Sequence, residues 1–177
     1  MVHSVKLIMF SLVVAIAHSC GDSNQPPENF PSQKEVNKSL ETINRKFVLD
    51  EAMMIDAYIE RRNLEMKTTG TGLRYKIFDE GAGELASNGQ YATVEYKISL
   101  LDGTVAYDSS EDGQKEFLIG QDYVESGLHE GILMMRKGDR AKFILPSHLA
   151  HGLSGDNNKI PPRSSVVYDI RLISLRS

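Results

Sequence analysis

Few side chains in this sequence suit covalent chemistry. His148 and His151 stand three apart and can share one face of a turn, yet no glutamate or third histidine at ligand spacing joins them. The spacing therefore indicates no metal. Glu111, Asp112 and Glu116 read as a solvated acidic stretch, not an acid–base pair. No Gly-x-Ser-x-Gly elbow and no Gly-Lys-Ser phosphate loop occurs. The single cysteine, Cys20, excludes an internal disulfide framework and a cysteine zinc site. What stands out is aromatic. Tyr96, Tyr107, Phe117, Phe143 and Tyr168 fall on predicted strands, on faces expected to turn inward. Any one of them suits core packing. Several tyrosines together suggest a cavity with a few polar points, because a buried phenol needs a hydrogen-bond partner.

The elements that must position these rings follow from periodicity. Tyr91 to Leu101 alternates, with Ala92, Val94, Tyr96, Ile98 and Leu100 on one face. Asp102-Gly103 signals a hairpin, and Thr104 to Tyr107 should run back against it. Leu73–Asp79, Lys115–Ile119, Arg140–Leu145 and Val166–Leu175 are further predicted strands. Val124, Leu128 and Ile132 put one apolar stripe on a short helix. Gly152 to Pro162 reads as a loop. The sum is an α+β domain, an antiparallel sheet with one short helix to bury against it.

A helical segment precedes the sheet. From Gln33 to about Met66 there is neither proline nor glycine, and Val36, Leu40, Ile43 and Phe47 recur at helical spacing. Asp50 resembles an N-cap with Glu51 in the first turn, so the segment is one long helix or two with a break near Asp50. Its apolar face either packs on the following domain or forms a homodimer surface across residues 33–66. Glu60, Arg61, Arg62 and Glu65 argue against membrane contact at its far end.

The first nineteen residues carry Lys6 as their one certain charge, then an apolar run from Leu7 to Ala17. That run is too short to span a bilayer, which needs about 20 residues. It fits the core of a secretory signal. Ala17 and Ser19 lead to Cys20, and the arrangement resembles a bacterial lipoprotein signal in which the cysteine becomes the lipid acceptor. Each buried methylene of the lipid would contribute about 0.8 kcal/mol to anchoring. Cys20 to Ser32, with Pro26, Pro27 and Pro31, reads as a tether. The expected divisions are thus a signal at 1–19, a tether at 20–32, a helical arm at 33–69 and a domain at 70–177. The localisation implied is the cell envelope, facing the periplasm. A formal net charge of -4 argues against a nucleic-acid partner.

A series of short motifs then resembles one family. Val94-Glu95-Tyr96, Leu101-Asp102-Gly103-Thr104, Tyr107-Asp108-Ser109-Ser110 and Phe117-Leu118-Ile119-Gly120 look like the FK506-binding-protein (FKBP) type of peptidyl-prolyl cis-trans isomerase. So do Val124 and Gly127 ahead of Glu130-Gly131, then Gly138-Asp139-Arg140-Ala141-Lys142 and Ile144-Leu145-Pro146. Ala150-His151-Gly152, Ile160-Pro161-Pro162 and Val167-Tyr168-Asp169-Ile170 complete the series, with order and spacing kept. The helical segment resembles the N-terminal extensions of the exported bacterial branch. Lipoproteins linked to gliding motility in Bacteroidetes-like bacteria are the nearest likeness within it.

The resemblance implies rotation about X-Pro bonds in proline-containing polypeptides, in the service of folding, with no cofactor. Resonance holds the imide planar behind a barrier of ~18–20 kcal/mol, and the uncatalysed change takes tens to hundreds of seconds. At a right angle of twist conjugation is lost and the carbonyl is less polar. An apolar, water-poor pocket then favours the twisted state over the planar one. The resemblance makes Tyr96, Asp108 and Tyr168 the catalytic group. It makes Tyr107, Phe117, Val124, Glu125, Leu128, His151 and Ile160 the substrate-binding group, with a substrate carbonyl received near the Val124–Glu125 backbone. Three positions depart from the family pattern: Leu128 replaces the usual tryptophan floor, Glu125 the usual isoleucine, and His151 the usual tyrosine. They favour, as the alternative, a weakly catalytic or non-catalytic peptide-binding module using the same groove.

Overall fold

The computed structural model describes residues 30–177. The predicted signal, Cys20 and most of the tether lie outside the described residues. The chain divides after Leu40 into two units, of which the second, Glu41–Ser177, is compact.

Helix α1 (Gln33–Arg61), most of which belongs to the second unit, begins at a reciprocal cap. The Glu35 backbone N–H donates to Ser32 Oγ at 3.4 Å, and the Ser32 N–H donates to Glu35 Oε2 at 2.8 Å. This arrangement holds the Glu35 carboxyl below its ordinary pKa. The helix passes through Asp50 unbroken, the first of the two alternatives the sequence leaves open. Residues 33–61 contain no glycine or proline, and a helix already propagating needs no second cap. Asp50 instead accepts from Lys46 Nζ at 2.7 Å, one turn earlier. The helix ends in a Schellman turn. Asn63 takes the left-handed conformation (φ 49°), its N–H donates to Glu60 O, and the Leu64 N–H donates to Ile59 O.

The second unit is a seven-stranded antiparallel sheet. Its strands are β1 (Lys67–Thr68), β2 (Arg74–Asp79), β3 (Tyr91–Leu100), β4 (Val105–Asp108), β5 (Lys115–Leu118), β6 (Arg140–Leu145) and β7 (Val166–Arg176). The order is β1-β2-β6-β7-β3-β4, with β5 also paired to β3. One helical turn, α2 (Ser109–Asp112), follows β4, and α3 (Ser126–Ile132) crosses from β5 towards β6.

Strand alternation loads both faces of the sheet. On one face Ala141, Phe143, Leu145, Tyr168, Ile170 and Leu172 bury against Leu128 and Ile132 of α3. The helix approaches closely because Gly127 and Gly131 lie on its contact side. A Cβ on Gly131 would come within 2.6 Å of the Phe143 ring, and one on Gly127 within 2.7 Å of Leu145. On the other face Ile144 and Val167 bury against Ile55 and Tyr58 of α1. The later half of α1 therefore packs on the sheet, whereas Ile43, Val48, Leu49, Met53 and Met54 remain exposed.

Candidate functional site

The pocket is built on strand register. Ile98 of β3 lies opposite Tyr107 of β4 on one side and Tyr168 of β7 on the other. Tyr96 and Val94 share the face of Ile98, at the two-residue repeat of the strand. Leu128, 1% exposed, rises from α3 beneath them. These side chains line a cavity of about 420 Å³, closed at its edge by Asp112, Gly113, Gln114, Lys115, Glu125 and His151.

Polar groups share the lining of this cavity. His151 Nε2 lies 3.0 Å from Glu125 Oε1, and the glutamate side chain is only 7% exposed. Burial alone would raise the Glu125 pKa. The His151 hydrogen bond, its own backbone N–H and the Lys115 charge outweigh burial and hold it at about 2. The same contact raises the His151 pKa against its desolvation. Tyr168 is buried, and its phenol is pushed well up by burial and then by the Glu125 charge. Burial, then the charges of Asp112, Asp108 and Glu125, also raises Tyr96.

The far wall is held from the loop after β6. Tyr107 Oη donates to Asp156 Oδ2 in a short contact, which raises the phenol's pKa. Asp156 also accepts the backbone N–H groups of Ile160 (2.8 Å) and Asn158 (2.9 Å). Burial opposes these contacts, yet together they bring Asp156 to about 2. Lys159 Nζ sits 4.9 Å from the Tyr107 ring centroid.

Of the ten residues expected at the site, Tyr96, Tyr107, Glu125, Leu128, His151 and Tyr168 line the cavity. Four lie elsewhere. Phe117 is buried in the core behind the cavity, edge-on to His129 at 5.7 Å, and Lys115, two residues earlier on the strand, lines the cavity. Val124 packs half-buried against the core, and Ile160 is buried within it. Asp108 borders a second groove, of about 440 Å³, with Lys97, Arg140 and Asp169. Its carboxylate caps α2, accepting from the Ser110 N–H at 3.0 Å, and pairs with Lys97 at 2.9 Å. Those contacts, the cap first, bring its pKa to about 2. The Val124 N–H donates to Asp122 O at 2.9 Å. The two neighbouring histidines part company, since His148 Nε2 meets the Thr71 carbonyl at 3.0 Å.

A cup of three tyrosines on adjacent strands over a short helix is the feature by which known proteins can be compared. The profile of the FKBP-type peptidyl-prolyl cis-trans isomerases matches residues 82–173. The chain belongs to that family. A probable FkpA isomerase of Neisseria meningitidis serogroup B is 38% identical over 112 residues, covering 62% of this chain and 40% of that protein. A macrophage infectivity potentiator of Trypanosoma cruzi is 30% identical over 172 residues, covering 96% of this chain and 83% of that protein. The crystal structure of FkpA from Escherichia coli superposes with a TM-score of 0.61 at 29% identity, over 82% of this chain and 74% of that one. The aligned region spans about 40% of the length of the FkpA relatives.

Lys115, Asp112 and Asp156 are the site residues that motif matching passed over. Alternation along Lys115–Ile119 already placed Lys115 on the face of Phe117. Asp112 and Asp156 lie in a helical turn and a loop, where periodicity carries no information about direction.

Proposed function

We propose that the chain is a peptidyl-prolyl cis-trans isomerase acting on proline-containing polypeptides. The observation that carries this is the cup of Tyr96, Tyr107 and Tyr168 over Leu128, in a chain of the FKBP family. An X-Pro ring seated there leaves water. The twisted imide, less polar than the planar one, is the state this lining favours. A ten-thousandfold acceleration needs only about 5.4 kcal/mol of such preference. No acid or base has to act, so the short list of reactive side chains is no obstacle. Asp108 acts in this reading through α2, whose Asp112 stands at the cavity edge, as a positioning residue. The assay is isomerisation of an X-Pro peptide followed without a coupling protease.

A second reading is favoured by one observation. The Glu125–His151 pair, with Lys115 and Asp112, makes one side of the cavity charged. A charged wall suits holding a peptide better than desolvating an imide. In that reading the protein is a weakly catalytic binding module. It binds the peptide with little or no acceleration of its isomerisation.

The proposed setting is the cell envelope, with Cys20 as lipid acceptor. It rests on the apolar run, the small residues before Cys20 and the tether after it. Metabolic labelling with a fatty acid, lost on Cys20→Ser, tests it. Self-association through α1 is supported by the exposed Ile43, Val48, Leu49, Met53 and Met54. Light scattering on the full chain tests it, with a monomer at high concentration as the contrary result.

A further inference from the structure

Glu51 is a carboxylate in the middle of α1, 2% exposed, and the pocket chemistry above does not use it. A buried carboxylate is costly unless hydrogen bonds compensate it. Glu51 has three. The Ser147 N–H donates to Oε1 at 2.7 Å and Ser147 Oγ to Oε2 at 3.1 Å. Ser165 Oγ donates to Oε1 at 2.7 Å.

The two serines bracket the loop that closes the cavity. Ser147 opens a turn whose carbonyl accepts the N–H groups of Ala150 (3.1 Å) and Gly152 (2.8 Å), on either side of His151. Ser165 stands one residue before β7, which carries Tyr168. Between them lie His151, which meets Glu125, and Asp156, which holds Tyr107. The loop is also closed on itself, since the Arg163 N–H donates to Gly152 O at 2.9 Å. One carboxylate thus grips both ends of an otherwise self-contained loop.

We infer that Glu51 is a positioning residue for the pocket: α1 clamps the 147–165 loop through it and so sets His151 and Asp156 against the peptide. The inference rests on the peptide-binding reading of the cavity. It adds that the helix is a working part of the site. Charged acceptors make the stronger hydrogen bonds, so Glu51→Gln weakens the grip while keeping the side chain's size.

The test compares the full chain with its Glu51→Gln and Ser165→Ala variants. For Glu51→Gln the expected result is a KM for an X-Pro peptide raised about fivefold with kcat within about twofold. Amide exchange at 150–160 should quicken about tenfold while β3 and β6 keep wild-type protection. Ser165→Ala removes one of the three bonds and should shift both readouts the same way, by less. It also keeps the test decisive if Glu51→Gln fails to fold. Wild-type KM and loop exchange in the folded variants would overturn the clamp, as would exchange quickened evenly through the sheet. If the wild-type chain neither turns over nor binds the peptide, the proposed function fails, and loop exchange alone decides the clamp.

Discussion

Glu125 Oε1 and His151 Nε2 meet at 3.0 Å in a cavity that they line together with Tyr96, Tyr107, Tyr168 and Leu128. A charge pair held out of water depends on both partners, because removing one leaves the other uncompensated. Such losses run to about 3–5 kcal/mol for fully buried pairs. His151 is a quarter exposed, so His151→Ala should cost about 1–3 kcal/mol. Glu125→Ile together with His151→Tyr, which removes both charges, should cost less than either single change. Urea unfolding in a double-mutant cycle measures this, and strictly additive losses would deny the coupling.

The same pair predicts a pH dependence. The His151 pKa is raised above its ordinary 6.5, so its contribution is complete below 6.5 and is lost as pH rises through the raised value. The Glu125 pKa falls from 4.5 to about 2, so its contribution is complete above 4.5 and is lost as pH falls through about 2. The pair is therefore at full strength between about pH 4.5 and 6.5. Unfolding midpoints at about pH 5.5 and pH 9 should show wild type losing more stability than His151→Gln. Equal losses in the two proteins would show that His151 does not carry the effect.

Much of this was legible in the residues. Strict alternation over Tyr91–Leu101 places Tyr96 and Ile98 together, and the motif series places Tyr107 and Tyr168 beside them. Of the two alternatives for the helical segment the single long helix holds, because an N-cap residue type inside a good helix finds a partner one turn away, here Lys46 for Asp50. Asp108 shows a different limit. Its motif position matches the family, but a motif carries no side-chain direction, and the cap of α2 and the Lys97 pair hold this carboxylate in a groove that shares Tyr96 with the cavity. Glu51 was legible only as a first-turn acid, since its partners lie about a hundred residues away.

Leu128 offers a built-in reporter. The chain has no tryptophan, so Leu128→Trp places a single, selectively excitable tryptophan at the cavity floor. Its emission should shift on titration with a proline-containing peptide, and Tyr168→Ala in the same background should weaken that response. A peptide that binds without any change in emission would place the binding site elsewhere.

The fit of α3 to β6 predicts a sharp steric effect. Gly131→Ala would press its methyl into the Phe143 ring and should destabilise by about 1–3 kcal/mol, the usual cost of overpacking. Gly131→Ala with Phe143→Leu should recover part of that loss. A fully stable Gly131→Ala protein would show that α3 does not sit so close.

Isomerisation itself tests the central claim most directly. Residues 20–177 should accelerate the cis-to-trans change of an X-Pro peptide in a protease-free assay. Tyr168→Ala should lower kcat/KM at least about tenfold, since it removes one wall of the cup. Relaxation at the rate seen in buffer, at high enzyme concentration and with the protein folded, would contradict the account.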